Sequence, residues 1–411
     1  MKFKVVLPTL LVAVLLFGYD FVTAIASLYV DDLESSRTVS FPYRGATFLA
    51  CLLVLFVNLS NKVRINRDVA VIFVYEALLL LRFFIDFYCR ADLFVDTAIR
   101  FRILMYLIPM AIIPMMTIVK CHMRIDTNKL LVFSYIFLAV SIFITYYNND
   151  FFQTSDYERR ESAFGIGTIG TGHLGLSGLL LSAYMIRNKK FNSLLKLGYF
   201  FIFVLSALIM LRSGSRGPLL SFIAVIAVVY VARTRRWLIS ALLIVLGYIF
   251  IDYIIDFVMR FIQDVSPYLY DRIENKQEEG QFMTRLPFYQ AAWGEFLKNP
   301  LLGSSFAIIL PTGECAYAHN VFLDSLMQWG VIGGILILYI YIKGVYHVIA
   351  LLRNRDELSW LGLLLIQNMT GLLVSSSFCY SPVIPIICVL LFMRHIETKN
   401  KIGYKLRSHE V

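Results

Sequence analysis

Residues 197–236 read LGYFFIFVLSALIMLRSGSRGPLLSFIAVIAVVYVARTRR. Two runs, 197 to 211 and 217 to 232, are apolar nearly throughout, and the turn Arg212-Ser213-Gly214-Ser215-Arg216 separates them. A helix that is apolar on every face belongs in a buried core or a bilayer, and crossing the bilayer takes roughly 20 residues. The pair reads as two membrane spans joined by a tight turn on one side. Arg233, Arg235 and Arg236 then mark the other side as cytoplasmic.

Worked outward from this pair, the same pattern covers the chain. Further apolar segments lie near residues 5 to 28, 43 to 59, 69 to 88, 101 to 119, 130 to 147, 171 to 186, 237 to 262, 320 to 342, 359 to 376 and 380 to 393. The expected fold is an all-α, polytopic integral membrane protein with about twelve transmembrane helices, both termini cytoplasmic, forming a single membrane domain over residues 1–411. The 411 residues are 59% hydrophobic and 16% charged, with a mean hydropathy of +0.71, which excludes a soluble enzyme, a disulfide scaffold and a disordered regulator. Val5 to Tyr19 after Met-Lys-Phe-Lys resembles a signal peptide, and Ala24-Ile25-Ala26 a cleavage site; with so many spans following, it reads as an uncleaved first span.

The net charge of +10 sorts by side. With both termini inside, the cytoplasmic segments hold 23 Lys and Arg against 6 acids, and the rest of the chain is net negative. Such asymmetry sets orientation and argues against nucleic acid as a partner. Two outer segments are long: Asn148 to about Thr171, and about Asp264 to Ala318. Within the second, Phe282 to Phe296 reads as an amphipathic helix lying on the membrane surface, stopped by Asn299-Pro300 and Gly303. The cytoplasmic loops are too short for a nucleotide-binding domain and carry no GxxxxGK[ST] phosphate loop, so chemistry is expected outside, without ATP. Six scattered cysteines form no CxxC and no Cys/His set with zinc spacing, so neither a metal nor a cofactor is implied; a Cys315–Cys379 disulfide is a minor alternative.

The outer cations are the informative ones. Arg212 and Arg216 flank the Ser-Gly-Ser turn, Arg285 sits on the amphipathic helix, and His319 opens the tenth span beside Asn320. Guanidinium forks match phosphate oxygens, and a histidine accepts a proton near neutrality, so the set suits a reaction in which a phosphate leaves and a hydroxyl attacks. Tyr289 and Trp293 follow Arg285 at four-residue spacing and would share its helix face, as sugar-stacking rings beside a cation. Each residue also has a plainer reading: interfacial snorkelling for Arg212 and Arg216, a solvated charge for Arg285, a cap for His319. His173 also faces outward but has fewer suggestive neighbours. Glu76, Arg82 and Asp86 lie within the third span, where Arg82 and Asp86 can pair structurally or form part of a relay or substrate pathway. Asp31-Asp32 sit where membrane glycosyltransferases of the dolichol-phosphate type often place an acidic base or metal ligand; a solvated pair is the plainer reading.

At these residues the chain resembles the O-antigen ligase and polymerase superfamily. Ser213-Gly214-Ser215-Arg216-Gly217-Pro218-Leu219-Leu220 is similar to its Ser-Arg-Gly element between two spans. Arg285 and Trp293 before Asn299-Pro300-Leu301-Leu302-Gly303 are similar to an arginine preceding an Asn-Pro-Leu-x-Gly turn. His319-Asn320-Val321-Phe322-Leu323, with Gly330-Val331-Ile332-Gly333 downstream, is similar to its His-Asn-x-x-Leu and Gly-x-x-Gly. The likeness covers about residues 210 to 340. It departs at Gln328, where relatives often have Glu, at Pro218, and at Ser305 in place of a second glycine.

The resemblance implies a GT-C-like, metal-independent, inverting glycosyltransferase in the bacterial cytoplasmic membrane. Its donor would be a polyprenyl-diphosphate-linked glycan and its acceptor another glycan, with membrane lipids around it and a flippase and a chain-length regulator as possible assembly partners. Arg216 and Arg285 would hold the diphosphate, with Arg212 supporting, and His319 would orient or deprotonate the acceptor hydroxyl. The short interval from Arg285 to His319 tilts the expectation to a polymerase of surface-polysaccharide repeat units; a ligase to lipid A core is the alternative, and a lipid-linked glycan flippase the alternative of another class.

Overall fold

The computed structural model describes residues 3–29, 33–90, 103–148, 168–187, 192–213, 215–234, 281–310 and 315–394, with scattered positions between 93 and 100 and between 239 and 253. Twelve helical segments occupy these residues: α1 (Phe3–Ala26), α2 (Leu33–Val57), α3 (Arg67–Cys89), α4 (Ile103–Arg124), α5 (Thr127–Tyr147), α6 (Thr168–Arg187), α7 (Ser193–Arg212), α8 (Arg216–Thr234), α9 (Gln281–Lys298), α10 (Val321–Asn354), α11 (Ser359–Val374) and α12 (Val383–Arg394). Eight of them are long and apolar enough to cross a membrane. The protein is an all-α, multi-pass membrane protein. A two-residue hairpin, β1 (Ile308–Ile309) against β2 (Cys315–Ala316), lies between α9 and α10. The segment 237 to 262, Asp31-Asp32, most of 148 to 171, and 264 to 280 fall mainly or wholly outside the described residues.

The helices begin where short polar side chains replace missing backbone partners. Asn66, Asp126, Asn192 and Asn320 each cap a helix by accepting from backbone N–H groups in its first turn. The α4 segment departs from regular helix: Tyr106–Ile112 is π-helical and contains Pro109, with Pro114 just beyond. Neither proline has an N–H to donate, so the regular ladder is interrupted there. Gly172, Gly175 and Gly178 let α6 close onto α7; a Cβ on Gly175 would stand 2.6 Å from Met210 N.

Contacts between helix ends sort the loops into two groups. At the end rich in Lys and Arg, Lys120 donates to the Leu59 and Asn61 carbonyls, Asn66 to the Phe392 carbonyl, Thr127 to Glu357, and Arg353 to the Ala232 carbonyl. At the opposite end Asn148 donates to the Ser27 carbonyl, Arg90 pairs with Glu295, and Asn320 donates to the Leu373 carbonyl. Among the described residues, these contacts gather several of the basic loops at one end of the helices. One difference is α10, which runs to Asn354 rather than ending near 342. Lys343 is therefore on a helix, where it pairs with Asp68 of α3.

α10 is also broken. Trp329 (φ −134°, ψ 20°) and Gly330 (φ 58°, ψ −148°) leave helical geometry, so Val321–Gln328 is a half-helix. The turn after α9 plugs the break. Ser304 N and Ser305 N donate to the Met327 carbonyl, and Val331 N donates to the Pro300 carbonyl. Arg82 donates to the carbonyls of Gln328 (2.7 Å), Leu302 (2.5 Å) and Gly303 (3.1 Å), and lies over the Trp329 ring. Asp86 stands 3.6 Å from Arg82 and accepts from Phe306 N. The intramembrane pair read from the sequence is therefore a clamp on backbone freed by the break, which agrees with its structural reading. Gln328 belongs to the same joint: it is 2% exposed and its amide donates to the Phe306 carbonyl, a bond an ionised glutamate could not make.

Candidate functional site

The start of α8 and the His319-Asn320 pair both border the C-terminus of α11, at the end opposite the Lys- and Arg-rich loops, and Arg285 lies within electrostatic reach of His319, whereas the Asn299–Gly303 turn packs on the break in α10. α7 closes with Ser213 Oγ donating to the Met210 carbonyl, and Arg216 is the first residue of α8. Pro218 falls in the first turn of α8, where its missing N–H leaves no intrahelical bond unmade. α6 packs hard against this turn: a Cβ on Gly172 would meet Ser213 Oγ and Pro218 Cγ at 2.6 Å. Cβ atoms added at Gly217 and at Gly371 would stand 3.8 and 3.1 Å from His173 Nε2, so that ring sits between the start of α8 and α11. His173 thus has the neighbours its sequence context did not suggest.

On the other side of the α11 terminus stands His319. It is held at φ 55°, a left-handed backbone conformation that β-carbon sterics disfavour. Two anchors fix it. Asn320 caps α10 through Phe322 N and Leu323 N while its amide donates to the Leu373 carbonyl at 3.0 Å. Asp324, 1% exposed, accepts from Ala318 N at 2.7 Å. The His319 Nδ1 lies 3.3 Å from the Ser375 carbonyl, which can only accept. That bond places the ring proton on Nδ1 and leaves Nε2 as the basic nitrogen. Burial lowers the His319 pKa below its ordinary value and the nearby positive charge of Arg285 adds to this, while the Ser375 bond works the other way. The imidazole is accordingly neutral at physiological pH.

Arg285 reaches the site from α9 and is close enough to act on both His319 and Tyr317. The buried face of α9 is built from Ala292 and its neighbours Phe288 and Ala291, packed on Ile308, Ala318 and Met327. Phe288, rather than Tyr289, lies edge-on to His319, at 5.0 Å. Tyr289 is half-buried, and Trp293 is 47% exposed and pairs with Phe296. Arg212 ends α7 one turn before Arg216.

Several neighbours of the site were not singled out in the sequence. Ser375, whose carbonyl meets His319, begins the run Ser375-Ser376-Ser377 between α11 and the short helical turn Phe378–Tyr380. The signal was present, because a run of three serines interrupts an otherwise apolar C-terminal region. Tyr317 stacks at 4.4 Å from His319 and 5.5 Å from Tyr380, and Tyr106 of α4 lies 5.5 Å from Tyr380. Among the described residues no three His, Cys, Asp or Glu side chains are grouped as a metal site would require.

Residues 201–338 match the protein-family model described as O-Antigen ligase. Comparison with curated proteins and with solved structures gives no match. The matched stretch runs from within α7 into α10, and so takes in Arg216, Arg285, His319 and both sides of the α10 joint; His173, Ser375 and Tyr380 lie outside it. The chain therefore carries an O-antigen ligase family domain over about a third of its length, set within an all-α, multi-pass membrane protein.

Proposed function

We propose that the protein is a membrane glycosyltransferase that moves a glycan from a polyprenyl-diphosphate carrier to an acceptor hydroxyl on the outer face of the bacterial cytoplasmic membrane. One observation carries the reading: a neutral histidine with a free Nε2 stands within electrostatic reach of Arg285, inside a stretch matching the O-antigen ligase model. His319 Nε2 takes the proton of the acceptor hydroxyl as its oxygen attacks the anomeric carbon. The bond to the diphosphate breaks, and Arg216 and Arg285 balance the charge that develops on the departing phosphate. Attack opposite the leaving group inverts the anomeric centre. No cofactor enters this scheme.

The family description favours a ligase, whose acceptor is a lipid-linked core saccharide, over the polymerase suggested by the short Arg285 to His319 interval. The polymerase remains the second reading on that interval. Full-length protein supplied with polyprenyl-diphosphate-linked glycan and either a core lipid or a second lipid-linked repeat unit separates the two by which acceptor is extended. Removing Arg216 or His319 by alanine substitution is expected to reduce transfer about 10²- to 10³-fold. Unchanged transfer in both variants would sink the residue assignment, and failure of the wild type to transfer to any acceptor would favour a flippase.

A further inference from the structure

Arg44 is a cation in the apolar part of α2, outside the stretch that matches the family. Its guanidinium donates to the Tyr106 hydroxyl at 2.8 Å and lies 4.3 Å from the centre of that ring; the centre of the Tyr19 ring of α1 is 5.8 Å away. Among the described residues it pairs with no carboxylate, and Asp20, next to Tyr19, is not within ion-pair distance. A guanidinium carries five N–H donors, so an arginine kept in a membrane helix at this cost and met only by the Tyr106 and Tyr19 side chains retains donors for an anion.

From Arg44 a succession of rings leads to the site: Tyr106 to Tyr380, Tyr380 to Tyr317, and Tyr317 to His319, each pair 4.4 to 5.5 Å apart. All of these side chains are half-buried, so each keeps some surface open. The α4 backbone that presents Tyr106 is the π-helical stretch, and π-helical turns recur at functional sites. Ring faces are suited to the C–H faces of sugars, and an arginine fork to a phosphate.

We propose that Arg44 and the tyrosine track from Tyr106 to Tyr317 form the acceptor subsite, in which the track carries the glycan and Arg44 binds a phosphate group at its far end. The attacking sugar then lies at His319, and the phosphate at Arg44 is distinct from the diphosphate at Arg216 and Arg285. The inference rests on the glycosyl-transfer reading and adds to it which surface takes the second substrate. That phosphate belongs either to a polyprenyl diphosphate or to a phosphorylated core lipid.

The test uses full-length protein in phosphatidylcholine nanodiscs titrated with two probes, farnesyl diphosphate and lipid A bisphosphate, followed by calorimetry. The wild type is expected to show two phosphate sites. Arg44→Gln should weaken one of them about tenfold or more and leave the other intact, while Arg285→Gln should do the reverse. If farnesyl diphosphate fills the Arg44 site the acceptor is carrier-linked, and if only lipid A bisphosphate does so it is a core lipid; either supports the proposal. A single site, lost in Arg285→Gln and unchanged in Arg44→Gln, overturns the proposal and leaves the transfer reading standing. A site lost in Arg44→Gln alone, with no probe bound at Arg216 and Arg285, instead retains the anion site and removes the donor assignment. Thermal unfolding checks that each variant folds. Arg44→Lys, which keeps the charge but not the fork, should bind several-fold more weakly, and unchanged affinity in both Arg44 variants overturns the proposal.

Discussion

His319 is held in place by Ser375 and, through Ala318, by Asp324. Its left-handed backbone places the ring against the Ser375 carbonyl, and Asp324 keeps that backbone in place by binding Ala318 N from within α10. Replacing Asp324 by alanine leaves a buried N–H without its partner, which costs about 1–3 kcal/mol, and frees the residue before His319. Misplacing a reacting nitrogen by an ångström is worth on the order of 10²-fold in rate, so Asp324→Ala is expected to lower kcat far more than it raises KM. Equal changes in both, with ordinary stability, would argue against that positioning role. The pH profile tests the ring itself. A protonated His319 cannot accept a proton, and burial together with Arg285 lowers its pKa, so the neutral form persists to lower pH than for a free histidine. Activity as kcat/KM should therefore fall on the acid side through a pKa below about 6.5. Arg285→Gln removes one of the lowering influences, so its limb should move upward in pH; a limb that stays fixed would separate the titrating group from His319.

At the scale of elements, the joint between the α9 turn and the broken α10 sets where the half-helix Val321–Gln328 ends. Two glycines at positive φ each face the backbone of the opposite segment there: a Cβ on Gly303 would meet Gln328 C at 2.4 Å, and one on Gly330 would meet the Pro300 carbonyl oxygen at 2.3 Å. Gly303→Ala is thus both strained and sterically blocked, and it should lower thermal stability by several kcal/mol, about the range of severe core changes. Gly198→Ala is the control. Its Cβ has open space in the interior of α7, and gaining helix propensity should stabilise by about 0.5–1 kcal/mol. Arg82→Met leaves Asp86 buried without its cation and strips three carbonyls of a donor, so unfolding in detergent should show a loss of about 3–5 kcal/mol. Stability within 1 kcal/mol of wild type, about the median value of an exposed ion pair, would contradict the clamp. From sequence, Arg82 and Asp86 were legible as a pair because they are four residues apart on one helix. Their backbone partners were not, because these come from a turn and a helix break more than 200 positions away.

For the whole molecule, the apolar runs and basic loops were enough to place most helices, since a bilayer fixes both the length and the loop charge of a span. The arginines and His319 were legible through three short motifs. Arg44 was not, and the nearness of His173 and of the serine run to His319 was not, because what joins them to the site is the packing of helices distant in sequence. The place of the serine run also depends on length. α11 has 16 residues and rises about 24 Å, less than the hydrocarbon thickness. Contacts at Glu357 and Phe392 tie the near end of α11 and the C-terminal end of α12 to the Lys- and Arg-rich loops, and the serines stand at the other end of α11. Which surface that is follows from the charge bias: the Lys- and Arg-rich end should face the cytoplasm and the site should open outward. Cys89 offers a direct measurement, because it ends α3 at the site end and is exposed, whereas Cys51, Cys121, Cys379 and Cys388 are buried and Cys315 is half-buried. A membrane-impermeant maleimide should label Cys89 in cells whose cytoplasmic membrane is intact, and Cys89→Ser should abolish that signal. A cysteine substituted for Asn61, in the same Cys89→Ser background, should be labelled only after that membrane is permeabilised. The reverse pattern would turn the protein over in the membrane and place His319 on the cytoplasmic side, where an acceptor assembled outside could not reach it.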